Sequence, residues 1–144
     1  MKTRPVLYLA GPFGAPDPIH GIQRNILDAS EIALKAWKKG WAVICPHKNT
    51  ADFQHAIGVP EGVWTEGYLS IMLRCDAVLM LPGWVNSPGA VKERRIALRR
   101  SMEVFYYEVG GVPPCMEKEE KQIWNVSEVD HEPTEPILIF RKGG

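Results

Sequence analysis

Ser87, Gly89 and Glu93 stand in the run LPGWVNSPGAVKERRIA (81–97), where an apolar strand breaks at glycines and prolines and gives way to a charged helix. Ser87 is a favoured N-cap residue, Pro88 suits the first helical position, and Gly89 and Ala90 keep the turn narrow. A helix that starts at a crevice offers free backbone N–H groups and the positive end of its dipole, which suits an anionic or polyhydroxyl ligand. Glu93 shares a helical face with Ala90 and Ala97, so its carboxylate is expected to point at a small open space rather than at bulk water. The plainer alternatives are that Ser-Pro only starts a helix and that Glu93 pairs on the surface with Lys92 or Arg95.

The elements that must position these residues are readable from apolar spacing. Val6 to Gly11 is a continuous apolar run ending in glycine, as in a parallel strand buried on both faces. Ile22, Ile26, Ala29, Ala33 and Ala36 recur at helical spacing, and Gly40 stops that helix. Trp41–Cys45 reads as a second strand closed by Pro46, and residues 47–62 as loop with a helical turn. Val63–Arg74 reads as a helix with Trp64, Leu69, Met72 and Leu73 inward, followed by a strand over 77–81, a helix over 88–100 and a strand over 103–107. A short helix around 118–125 and a fifth strand at Ile137–Phe140 are expected in the Pro- and Glu-rich tail. This alternation predicts an α/β three-layer sandwich, Rossmann/flavodoxin-like, with a mostly parallel sheet of four or five strands. The expected division is a domain over 1–110 and an extension over 111–144 packed on it. The crevice is expected at the carboxyl ends of the strands, where the loops 11–13, 46–49 and 82–89 leave the sheet.

Composition narrows the function classes. Lys plus Arg and Asp plus Glu are 17 each, so no overall charge draws the chain to a nucleic-acid polymer or an anionic membrane. The basic residues at 92, 95 and 99 are expected on the solvated side of their helix, without the aromatic or Gly-rich companions of a nucleic-acid motif. No apolar run approaches a membrane span, no secretory signal is evident, and three widely spaced cysteines form no CxxC pair, so a cytoplasmic protein with reduced thiols is expected. No metal spacing and no GxGxxG fingerprint occur, so neither a metal nor a dinucleotide cofactor is expected. His47, beside the crevice, is a substrate contact or a structural histidine.

The segments YLAGPF, PHKNTADF, RCDAVLMLPGW and SPGAVKE, in this order, resemble the nucleoside 2-deoxyribosyltransferase superfamily. They are most similar to its small phage and bacterial branch and to the deoxynucleoside 5′-monophosphate N-glycosidases. The resemblance runs from about Val6 to Tyr107, and its most specific element is the S-x-G-x-x-x-E spacing of Ser87, Gly89 and Glu93. It implies cleavage or transfer of the N-glycosidic bond of a 2′-deoxynucleoside or its 5′-monophosphate, with Glu93 as nucleophile. A carboxylate traps the oxocarbenium-like C1′ as a glycosyl ester that water or a second base then attacks, as in retaining glycosidases. The resemblance places Tyr8 against Glu93, makes Gly11, Pro12 and Phe13 the pocket floor, and sets Ser87 and Gly89 at the 5′-hydroxyl or 5′-phosphate. Trp84 and Phe13 would offer an aromatic face to the base, unless they are core or rim residues. It also implies a small-molecule nucleoside or nucleotide as partner and a homo-oligomer.

In that superfamily an aspartate eight residues before the position of Asp76 holds or protonates the leaving base, and here that position is Tyr68. A phenol donates a hydrogen bond at neutral pH but is a far weaker acid than a tuned carboxyl. Tyr68 bonding a base that leaves without full protonation, Glu66 or Glu61 supplying the proton, and a nucleotide-binding module without turnover are all compatible with the residues. An interaction protein using its acidic tail is a further class.

Overall fold

The strands carry no polar face, and a sheet made of them has to be covered on both sides. In the computed structural model, which describes residues 3–13, 20–49, 53 and 58–115, that is the arrangement. The elements run β1 (Val6–Ala10), α1 (His20–Lys38), β2 (Ala42–Ile44), α2 (Pro46–Asn49), α3 (Glu61–Met72), β3 (Ala77–Met80), α4 (Pro88–Arg99), β4 (Glu103–Tyr106) and α5 (Tyr107–Gly110). A 3₁₀ turn spans Trp84–Asn86. The four strands pair in parallel in the order β2-β1-β3-β4. The chain therefore crosses over β1 on its way from β2 to β3, and the crevice of such a reversal opens beyond the carboxyl ends of β1 and β3.

Successive side chains of β1 serve different layers. Leu7 and Leu9 join Ala29, Ile32, Ala33 and Ala36 of α1, with Trp41 and Leu79, in one buried cluster. Tyr8 and Ala10 turn the other way, to Val78 and Met80 of β3, Met72 of α3, and Ala90 and Ala97 of α4. Asp76 ties the start of β3 to β1: its Oδ2 accepts from Val6 N–H at 2.7 Å, and its own N–H donates to Val6 O at 2.9 Å. It is a strand-start residue, as its place before the apolar run suggests.

The expected elements are present with shifted ends. α3 begins two residues earlier than the apolar pattern suggests, directly after the extended Pro60. β4 yields Tyr107 to the short α5, and the turn expected within 47–62 is α2, with Pro46 at its first position. Residues 112 and 113 pack against the end of α1 and the turn that follows it. Val112 is buried, Trp41 Nε1–H donates to Pro113 O at 2.9 Å and Lys39 Nζ to Val112 O at 2.8 Å. The helix expected at 118–125 and the strand at 137–140 lie outside the described residues.

Gly11 ends β1 where the backbone passes close to β3. A Cβ there would lie 2.7 Å from Leu81 Cβ, and Leu81 N–H donates to Ala10 O at 2.8 Å, so the two strands have no room to part. Gly11→Ala is expected to lower stability by about 1–3 kcal/mol, read as a drop of several degrees in the thermal midpoint. An unchanged midpoint would show that this floor is loosely packed.

Candidate functional site

Each site residue is placed by a local rule. Ser87 caps α4 as expected, its Oγ accepting from Ala90 N–H at 3.3 Å, with Pro88 at the first helical position. This cap starts the helix at the carboxyl end of β3 and sets the rotation of everything after it. Ala90 and Ala97 are then packed on the sheet, 1% and 0% exposed, and Glu93 on the same face is carried over β1. There Tyr8, fully buried in β1, donates its hydroxyl proton to Glu93 Oε2. Glu93 is thus joined to the first strand instead of forming the surface ion pair with Lys92 or Arg95.

The pair faces a cavity of about 660 Å³. Gly11 and Phe13 wall it from the end of β1, Pro46 and His47 from α2, and Ser87, Gly89 and Lys92 from α4. Trp64, Thr65, Tyr68 and Leu69 line it from α3, with Phe53 and Val59 beside them. Of the residues singled out from sequence, Tyr8, Gly11, Phe13, Tyr68, Ser87, Gly89 and Glu93 meet here. Pro12 does not line this space. Its carbonyl accepts from His47 Nε2 at 2.7 Å, and its ring borders a second cavity of about 230 Å³ between α1 and the ends of β3 and β4.

Trp84 stands elsewhere. Gly83 has a left-handed backbone, φ 83°, which turns the chain into the 3₁₀ segment and delivers the indole to the α4–β4 side. There it stacks 5.7 Å from Tyr106 and carries the Arg94 guanidinium 5.1 Å above its ring, while Arg94 Nε–H donates to the Tyr106 hydroxyl at 2.6 Å. The aromatic face in the cavity comes from Phe13, as expected, and from Trp64 and Phe53, whose rings lie 5.8 Å apart and tilted by 36°. The sequence held a signal for Trp64: it stands one turn before Tyr68 on α3, hence on the same helical face. Tyr68 donates to Pro46 O at 3.2 Å, which fastens α3 to α2. Glu66 is exposed and away from these walls, and the side chain of Glu61 lies outside the described residues.

Electrostatics separate the two partners of the pair. Burial pushes the Glu93 carboxyl up to about 7, against the opposing effect of the Tyr8 hydrogen bond. Burial, then the adjacent Glu93 charge and hydrogen bond, drive the Tyr8 phenol far upward, so it remains a donor throughout the neutral range. Burial also pushes Cys75 up to about 11 and raises Cys45, leaving both as thiols at neutral pH. Among the described residues no three His, Cys, Asp or Glu side chains gather as a metal site, and no helix is long and apolar enough to cross a membrane.

The raised carboxyl has a thermodynamic consequence. Folded Glu93 holds its proton up to about pH 7, whereas the unfolded chain releases it near 4.5. This contribution to stability is fully present below about pH 4.5 and lost as pH rises through about 7. Above that, ionised Glu93 costs the fold at most about 3 kcal/mol. Glu93→Gln, which still accepts from Tyr8, is expected to be more stable than the wild type near pH 8.5 and to lose that advantage near pH 4. Urea unfolding at the two pH values checks this, and no difference at pH 8.5 would mean that the carboxyl is hydrated.

No curated protein matches the chain. Residues 5–106 match a family model described as a domain of unknown function, DUF4406. That match covers β1 through β4 and every wall of the cavity, and the chain is a member of the DUF4406 family.

Proposed function

We propose that the protein cleaves or transfers the N-glycosidic bond of a 2′-deoxynucleoside or its 5′-monophosphate, with Glu93 as nucleophile. The observation that carries this reading is the Tyr8–Glu93 hydrogen bond inside a cavity large enough for a nucleoside. The ionised carboxylate attacks C1′ from the face opposite the base. The C1′–N bond breaks, its electron pair stays on the base nitrogen, and a glycosyl ester forms at Glu93. Water then adds to C1′ as the ester C1′–O bond breaks and returns its electron pair to the Glu93 carboxylate. The water's proton goes to the nitrogen of the departed base, and a second free base in place of water gives transfer. Tyr8, a permanent donor, orients the carboxyl and favours its charged form. The start of α4, with the Ser87 hydroxyl and Lys92 at the rim, suits the 5′-hydroxyl or 5′-phosphate. On this reading the protein acts on small molecules in the cytoplasm, and the superfamily resemblance implies that it does so as a homo-oligomer.

One observation favours a second reading, a nucleotide-binding module with little or no turnover. The single proton of the Tyr68 hydroxyl is directed at Pro46 O, so that residue does not protonate a leaving base without first breaking its bond to α2.

Chromatography of free base released from a panel of deoxynucleosides and their 5′-monophosphates separates the two. Release that falls at least about 10³-fold in Glu93→Ala supports the enzyme. Tight binding with no release supports the module, and release untouched by Glu93→Ala sinks the nucleophile.

The pH profile supplies an independent check. Because the nucleophile has to be ionised, kcat/KM is expected to rise with pH and level off above about 7. Tyr8→Phe removes the bond that holds the carboxyl down, so its profile shifts to higher pH. A shift to lower pH would contradict the assigned donor.

A further inference from the structure

Arg94 directly follows Glu93 in the chain, yet the two side chains part. Its Nε–H donates to the Tyr106 hydroxyl at 2.6 Å, and its guanidinium lies 5.1 Å from the Trp84 ring centre and 5.6 Å from that of Tyr106. A planar guanidinium packs on aromatic faces while donating in its own plane, so one side chain holds two partners. Arg94 is half-buried, whereas Lys92, Arg95 and Arg99 on the same helix are exposed.

The geometry of α4 shows what this hold does. Ala90 and Ala97 are the residues packed on the sheet. At about 100° per residue, Glu93 stands about 50° to one side of their common direction and Arg94 about 50° to the other. The strand order β1-β3-β4 matches this split. Glu93 meets Tyr8 of β1, and Arg94 meets Tyr106 at the end of β4. The helix is thus braced on both flanks of β3.

Two alanines make a smooth contact that resists rolling weakly. A roll that lifts the carboxyl off Tyr8 drives the guanidinium down onto the two rings, and the opposite roll pulls Nε–H away from Tyr106. Side-chain ends lie about 5–6 Å from a helix axis, so a roll of about 20° moves the carboxyl by about 2 Å. That is enough to break its hydrogen bond. The Ser87 cap sets the rotation at the start of α4, and Arg94 holds it at the level of the carboxyl.

We propose that Arg94 is a positioning residue for Glu93: locked against Trp84 and Tyr106, it fixes the roll of α4 and keeps the carboxyl on Tyr8. The effect on rate rests on the glycosidic reading of that carboxyl, while the effect on its position needs no substrate.

The test reads Glu93 directly in the full-length protein without ligand, by NMR titration of its isotope-labelled carboxyl carbon, identified by its loss in Glu93→Gln. The wild-type midpoint is expected at about 7. In Arg94→Ala the carboxyl rolls toward water, and the midpoint falls by about one pH unit or more. Loss of a nearby positive charge alone would move it the opposite way, and a merely structural role would lower stability and leave the midpoint in place. Tyr8, Tyr68, His47 and Lys92, the other titratable groups around the cavity, are untouched by the change. Tyr106→Phe keeps the ring and removes only the acceptor. It shifts the midpoint the same way by less, and it decides the matter if Arg94→Ala does not fold. A midpoint that stays or rises in the folded variant overturns the role of Arg94.

Base release gives a second readout. Arg94→Ala is expected to lower kcat about 10- to 100-fold with KM little changed, and an untouched kcat likewise overturns the positioning role. No base released by the wild type sinks the glycosidic reading and leaves the titration alone to judge Arg94.

Discussion

The site depends on a hydrogen bond between two residues 85 positions apart, Tyr8 on the first strand and Glu93 on the last long helix. A carboxyl group is placed in a poorly hydrated layer between sheet and helix, where its charged form is disfavoured. A single phenol supplies the donor that makes the charged form accessible at neutral pH. Moving the carboxyl into water would remove both the raised pKa and the directed lone pair. Removing the phenol would leave a half-buried acid with less tendency to ionise.

The rest of the molecule can be understood as the means of holding that pair. The strand order brings the ends of β1 and β3 together. The Ser87 cap sets the rotation of α4, and the small side chains of Ala90 and Ala97 let the helix come close enough for Glu93 to reach across. On the far side of the cavity, two side-chain bonds to backbone carbonyls, His47 to Pro12 and Tyr68 to Pro46, clip β1, α2 and α3 to one another. The cavity walls are thus fastened mostly through main-chain groups, which leaves the exposed side-chain surfaces free to suit a ligand.

Those parts of this arrangement that depend on local chemistry were legible in the sequence. Wholly apolar strands, a Ser-Pro helix start and a glutamate between two alanines each report a single segment, and the structure keeps all three. The superfamily resemblance added the pairing of Tyr8 with Glu93, which no local pattern encodes. Contacts set by loop geometry were not legible. Trp84 was expected as an aromatic face of the crevice and Trp64 only as an inward residue of its helix, and the left-handed turn at Gly83 is what sends Trp84 to Arg94 and Tyr106 instead. The bond from His47 to Pro12 was hidden for the same reason, since it joins α2 to the loop after β1 and depends on how β1 and β2 end. The start of α3 shifted because apolar spacing marks a buried face, while the helix itself begins at the backbone set by Pro60.

The alternation along β1 has a consequence for how this family can vary. Leu7 and Leu9 belong to the layer under α1, while Tyr8 and Ala10 belong to the layer under α4. Slipping the strand by a single position would exchange a phenol for an isobutyl group opposite the carboxylate and push the phenol into hydrocarbon. A single residue gained or lost within the strand would misplace both layers at once, whereas an apolar substitution at one position disturbs only the layer that it faces.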